Sequence, residues 1–236
     1  MFFALNKDTN KRVDIEDALK EKIKSDYICP LCYKDLIMKK GVINASHFAH
    51  KVKCDETFSV DMSIWHKEWQ DIFPKENQEV IVECDIATKE DAVIHIKHRA
   101  DVLINNYVIE FQHSPISREE FNARNWFYNY CGYKVIWIFD MSDKEIELIR
   151  KLYTRNTTRG SYKWSDALET FRDFDVVENK DAIKLYFQFD FDDYNRQNKS
   201  VEAVTCATPE FNRFYTDNDK VVTAEDLLRK VQAGQI

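Results

Sequence analysis

Apolar residues recur along this chain at two periods, and each change of period marks an expected element boundary. Ile15, Ala18, Leu19 and Ile23 stand at helical spacing and predict an amphipathic helix over Val13 to Lys24, followed by a strand-like Asp26-Tyr27-Ile28. Leu36-Ile37-Met38 and Val42-Ile43 flank Lys39-Lys40-Gly41 and predict a small hairpin. Between Met62 and Phe73, Ile64, Trp65, Trp69, Ile72 and Phe73 return to the helical period, and Pro74 ends the run. Glu79 to Ile86 is strand-like. Residues 92–104 and 107–112 are rich in Val, Ile, Tyr and Phe and alternate in polarity about Asn105-Asn106, which reads as a turn. Ser117 to Cys131 is helical, with Ser117 as cap, Glu120 three residues on and Gly132 as stop. Tyr133 to Phe139 is nearly unbroken apolar sequence, as a buried central strand requires. Beyond Lys151 the pattern weakens to a short helix at Ser165 to Phe171, a strand at Ile183 to Phe189 and a terminal helix at Thr223 to Gln232.

Over residues 62–139 the order is helix, strand, strand, strand, helix, strand, which implies an α+β or α/β core. A chain of 236 residues with 44% hydrophobic content can bury such a core. With 4 Gly and 4 Pro no low-complexity linker marks a boundary, so division follows the motifs: 1–60, 61–150 and 151–236. No apolar run reaches the roughly 18 residues of a membrane span or resembles a leader, so a soluble, cytoplasmic protein is expected. Six cysteines are too few for a disulfide scaffold at this length. The net charge of −7 speaks against a protein that coats nucleic acid electrostatically. Residues 1–60 have a net charge of +2, 61–150 of −7 and 151–236 of −2, so acid is concentrated in the middle segment.

The segment His98 to Gln112 gives that acid a geometry. With a two-residue turn at Asn105-Asn106, antiparallel pairing sets Asp101 opposite Glu110. Arg99 and Gln112 share their face, while Ala100, Val102, Ile104, Tyr107, Ile109 and Phe111 form the other. Facing carboxylates repel unless a cation lies between them. Arg99 is one candidate; a divalent ion such as Mg²⁺ or Mn²⁺ is another. An exposed strand face with Arg99 bridging two acids is the plainer alternative. His66, beside Trp65 and Trp69 on the helix before the first strand, reads either as a hydrogen-bonded packing residue or, if it reaches the acids, as a proton donor or water-positioning base; Glu68 competes with it, and helical geometry turns the two apart. His113, Ser114 and Ser117 flank the hairpin and are candidates for phosphate contact, and Arg124 and Tyr128 share one face of the following helix.

Upstream, Cys29 and Cys32 are separated by two residues, as are His47 and His50, with fourteen residues between the pairs. Four soft or borderline donors on short-spaced turns suit a tetrahedral zinc site, with Cys54 able to replace one histidine. The alternative is a pair of reduced core thiols. Lys34, Lys39, Lys40, Lys51 and Lys53 are opposed only by Asp35 over residues 33–53, a local positive patch suited to a DNA backbone.

The strings Cys29-Pro-Leu-Cys32, His47-Phe-Ala-His50, Met62-Ser-Ile-Trp-His66, His98-Arg-Ala-Asp101-Val and Ile109-Glu110-Phe-Gln112-His-Ser-Pro-Ile-Ser117, in this order, resemble the CoiA-like competence protein family. That resemblance covers roughly residues 1–150. It implies a PD-(D/E)XK nuclease core over 61–150 (helix, three strands, helix, strand); with the Cys/His spacing in 1–60 and the weaker pattern beyond Lys151, the expected fold adds an N-terminal zinc module and a C-terminal α+β extension of no assigned role. It implies Asp101 and Glu110 as the metal-binding acids, with Gln112 where the superfamily usually has Lys. A neutral amide hydrogen-bonds but cannot offset charge as Lys does. The activity expected is Mg²⁺- or Mn²⁺-dependent phosphodiester hydrolysis of single- or double-stranded DNA in uptake, recombination or defence, alongside proteins of those processes. A catalytically degenerate DNA-binding accessory protein and a zinc-stabilised protein-interaction module are the competing functions.

Overall fold

The computed structural model describes residues 1–21, 25–41, 44–52, 63–88, 92–114, 116–140, 183–188, 200–208 and 213–236. The chain divides into two compact units, Met1–Val102 and Leu103–Ile236. The architecture is mixed α+β, with two sheets and few helices among the described residues.

The first unit begins with β1 (Phe3–Asn6), β2 (Arg12–Asp14), α1 (Ile15–Lys20), β3 (Tyr27–Ile28), β4 (Asp35–Lys39) and β5 (His47–His50). These strands form an antiparallel sheet in the order β2-β1-β3-β4-β5. Its core gathers Met1, Phe2, Ala4, Ile15, Ala18, Tyr27, Cys29, Leu36 and Phe48. The helix expected from Val13 is shorter than its periodicity implied. Arg12 and Val13 pair with Leu5 and Ala4, and Glu21 is already extended, so ladder hydrogen bonds outweigh helical propensity at the start. The expected hairpin also differs: β4 pairs with the His47–His50 segment, Leu36 opposite His50 and Lys39 opposite His47, while Val42-Ile43 lies outside the described residues. Gly41 in the connection is obligatory, since a Cβ there would fall 1.6 Å from the Asn44 carbonyl oxygen.

The same unit continues with α2 (Ile64–Gln70), a 3-10 turn at Lys75–Asn77, β6 (Gln78–Ala87) and β7 (Val93–Ile104), whose last two residues enter the second unit. The Ser63 hydroxyl accepts from the His66 N–H at 3.1 Å and caps α2, which buries Trp69. β6 and β7 pair antiparallel from Gln78↔Val102 out to Ala87↔Val93. The outer half of this ribbon is solvated and carries Lys97–Glu83 at 2.8 Å and His95–Asp85 at 2.7 Å.

The second unit holds β8 (Tyr107–Gln112), α3 (Arg118–Tyr130), β9 (Lys134–Asp140), β10 (Ile183–Gln188), β11 (Ser200–Thr208), β12 (Arg213–Thr223) and α4 (Ala224–Gln232). β8, β9 and β10 are parallel neighbours, and β11 and β12 continue antiparallel. A parallel pair needs a crossover, and α3 supplies it between β8 and β9. Ser117 starts α3 by accepting from the Glu120 N–H at 3.1 Å, and Gly132 follows it at φ 88°. Phe121 packs on Trp137 with ring centroids 4.8 Å apart, and the Trp137 indole donates to Asn125 Oδ1 at 2.9 Å. β8 is buried from end to end, and so is β9 from Val135 onward, as central parallel strands require. β10 and α4 occupy their expected segments; the expected helix at Ser165 to Phe171 lies outside the described residues.

The Asn105-Asn106 turn stands where the sequence pattern put it. Asn105 takes φ 53°, and its Nδ2 donates to the carbonyls of Val231 and Gln232, each at 3.0 Å. The turn residue therefore also closes the carboxyl end of α4.

Candidate active site and Cys/His cluster

In the first unit α2 is laid against β7. His66 is 2% exposed, and its Nε2 lies 3.3 Å from Asp101 Oδ1. One turn later the buried Gln70 donates from Nε2 to the Asp101 carbonyl at 2.7 Å. One helix face thus meets both the side chain and the backbone of the acid, while Glu68 points to solvent. Phe2 meets the His66 ring edge-on at 5.9 Å. Arg99, one candidate to offset the two acids, has a partner at Glu79, Nε to Oε1 at 3.7 Å, and both are buried. Glu79 stands at φ 49°, and its Oε2 also accepts the Phe2 and Phe3 N–H groups at 2.7 and 2.9 Å.

In the second unit Glu110, only 1% exposed, accepts from Arg124 Nη1 at 2.7 Å, and Arg124 Nη2 donates to Glu120. Arg124 and Tyr128 both face inward. Gln112 is buried, with its amide N–H donated to the Ser114 carbonyl. Just past it, His113 Nδ1 lies 2.6 Å from Asp140 Oδ2 at the carboxyl ends of β8 and β9. Asp101 stands four residues before the Asn105-Asn106 turn and Glu110 four after it. Neither acid is on a solvated strand face: both are buried, which carboxylates tolerate only with hydrogen-bonding or cationic partners.

The Cys/His motif yields a tight cluster. Cys29, Cys32 and His50 present donor atoms all within 4.8 Å of one another, with Cys32 Sγ and His50 Nε2 at 3.3 Å. The knuckle is shaped by its backbone: the Leu31 N–H points at Cys29 Sγ at 3.4 Å, and the Tyr33 N–H closes the turn on the Cys29 carbonyl at 2.9 Å, with Tyr33 at φ 58°. Two sulfurs and one imidazole are the donors zinc favours, so the cluster can hold a metal ion such as zinc. His47 is outside it. Residues three apart on a strand point to opposite faces, so when β5 brings His50 to the cysteines it turns His47 away. The His47 Nδ1 bonds the Ala45 carbonyl at 2.8 Å, and burial holds its pKa below the usual value. Cys54 lies outside the described residues. Nearby, burial and a hydrogen bond to Glu21 push the Tyr27 phenol up to about 12. Of the expected basic patch, Lys39, Lys40 and Lys51 are exposed and Lys34 half-buried; Lys53 lies outside the described residues.

Residues 10–56 match the profile of the competence protein CoiA N-terminal domain, and residues 77–164 that of the competence protein CoiA nuclease-like domain. The chain belongs to the CoiA-like competence protein family. No curated protein and no solved structure matches it. This CoiA-like chain therefore carries a nuclease-like domain over β6 to β9 and a Cys/His cluster within its N-terminal domain. No helix among its described residues is long and apolar enough to cross a membrane.

Three residues with contacts at these sites escaped the sequence reading. Gln70 had a signal, since it stands one helical turn from His66. Asp140 had a weaker one, as the polar residue that ends the apolar run of β9. Glu79 had none, because its role comes from a left-handed backbone and contacts far away in sequence.

Proposed function

We propose that this chain is a Mg²⁺- or Mn²⁺-dependent DNA nuclease built on a PD-(D/E)XK-type core, with Asp101 and Glu110 as the metal-binding acids. The observation that carries the reading is the burial of both carboxylates at equal distance from the Asn105-Asn106 turn, in a core ordered α2, β6, β7, β8, α3, β9. Burying carboxylates costs stability, and a site that binds a hard cation is a reason to keep them.

The donor chemistry fits: carboxylate oxygens are the ligands magnesium takes alongside water and phosphate. A cation held there would supply Lewis-acid charge at the scissile phosphate and favour ionisation of the attacking water. The protein's own groups do the rest. Gln70 fixes the β7 backbone at Asp101, and His66 orients the Asp101 carboxylate. Arg124 orients Glu110 through Oε2. Gln112 supplies hydrogen bonds where the superfamily has a lysine charge. In the N-terminal domain, Cys29, Cys32 and His50 would hold a structural zinc ion, and the exposed Lys39, Lys40 and Lys51 would meet the DNA backbone.

A second reading has its own support. Arg124 already neutralises Glu110, and the Gln112 amide is engaged with Ser114, features suited to a degenerate core that binds DNA without cutting it.

One assay separates them. Single- and double-stranded DNA are incubated with the protein in Mg²⁺, Mn²⁺ or EDTA, comparing wild type with Asp101→Asn and Glu110→Gln. The isosteric amides are chosen because Glu110→Gln keeps an oxygen that can accept from Arg124 Nη1, whereas truncation to Ala would leave that donor with no acceptor at this position. Cleavage that needs the cation and vanishes in both variants supports the nuclease. Binding without cleavage moves the conclusion to the accessory protein, and full activity in either variant overturns the site.

A further inference from the structure

The proposed hydrolysis leaves one proton unassigned. Water attacks phosphorus, the bond from phosphorus to the leaving sugar oxygen breaks, and that oxygen departs as a strong base unless it is protonated. His66 is a poor source, being almost wholly buried against Asp101. The second unit holds a different histidine in a different setting. His113 follows directly on Gln112 at the carboxyl end of β8, and its Nδ1 lies 2.6 Å from Asp140 Oδ2. The Asp140 side chain is 4% exposed and that of His113 33%, so a buried carboxylate fixes an imidazole that reaches solvent. Asp140 is the last residue of β9, and its neighbour in the parallel register, Gln188, is buried at the end of β10. In open sheets with parallel strands, reacting groups collect at the carboxyl ends of the strands, which is where this pair sits.

Resting on the nuclease reading above, we propose that His113 is a further catalytic residue, the general acid that protonates the leaving sugar oxygen, and that Asp140 is its positioning residue. Asp140 accepts from Nδ1 and fixes the ring, which directs Nε2 to the departing oxygen. In the step itself the P–O bond breaks as the Nε2 proton passes to the leaving oxygen; the attacking water loses its proton to solvent, and solvent water reprotonates Nε2. Protons balance over the turnover and no other reactant is needed.

The test uses leaving groups of different basicity. Wild type, His113→Gln and Asp140→Asn are assayed in Mg²⁺ and Mn²⁺ on DNA and on thymidine 5′-(p-nitrophenyl phosphate), whose p-nitrophenolate departs without a proton. His113→Gln is expected to cut DNA about 100-fold more slowly, in the range for loss of a general acid. The same variant should release p-nitrophenolate within about threefold of wild type, a difference that a merely structural role would not produce, and Asp140→Asn should show the same pattern to a smaller extent. Equal losses on both substrates, or no loss on DNA, overturn the assignment of His113 while leaving the nuclease reading intact. Wild type that cleaves neither substrate overturns both.

Discussion

Arg124 donates from Nη1 to Glu110 Oε2 at 2.7 Å, with both side chains almost wholly withdrawn from solvent. The pair ties α3 to the central strand β8 by a charge-assisted hydrogen bond in a low-dielectric setting. Such a pair is worth little beside a well-packed apolar substitute, yet losing one member alone is costly because the other charge stays buried.

Arg124→Met should therefore destabilise the protein by about 3–5 kcal/mol, read as a lowered midpoint in urea unfolding. Combining it with Glu110→Gln should recover a large part of that loss, because no bare charge remains. A single variant that unfolds with wild type would show that the pair adds nothing.

The two histidines of the N-terminal motif should behave differently. Purified protein is expected to contain one zinc per chain by metal analysis. Cys32→Ser and His50→Ala should lose it, whereas His47→Ala should keep it, since β5 turns His47 away from the cysteines. Because structural zinc adds directly to folding energy, chelation should lower the thermal midpoint of wild type and of His47→Ala alike. Equal zinc loss from His47→Ala and His50→Ala would contradict the cluster.

On the β6–β7 ribbon, the hydrogen bond from Asp85, with help from Glu83, raises the His95 pKa above its ordinary 6.5. A pKa raised on folding stabilises the protein fully below the unfolded value, and the gain is lost as pH rises through the folded value. An NMR titration should place the His95 midpoint above 6.5, and Asp85→Asn should move it down. A midpoint unchanged by that substitution would show that the ion pair does not hold in solution.

Asn105 combines a left-handed backbone with two hydrogen bonds to the end of α4. Asn105→Gly keeps the backbone freedom and loses the bonds, and should cost about 1 kcal/mol. Asn105→Ala loses both and should cost more, by roughly the 1 kcal/mol of a strained left-handed residue. Denaturant midpoints in the order wild type, Gly, Ala would bear this out; an Ala variant as stable as the Gly variant would not.

Local pattern by itself determined much of this protein. The two-residue turn, α3 with its Ser117 cap and Gly132 stop, the buried β9 and the terminal α4 were all legible, because each is written in short-range periodicity and capping chemistry. So was the set of residues worth watching, from Cys29 to Gln112, because metal-ligating and acidic side chains are conspicuous by type and spacing. The tertiary structure decided which of them have partners and what those partners are. Strand pairing, set by contacts distant in sequence, shortened α1 and chose His50 over His47. The folding of α2 onto β7 and of α3 onto β8 gave Asp101 its His66 and Gln70 and gave Glu110 its Arg124. Glu79 gained a role that no nearby residue announces, and Asp140 one only hinted at by the end of an apolar run, because burial and the partners of a charge depend on which segments fold together, and a one-dimensional pattern carries neither.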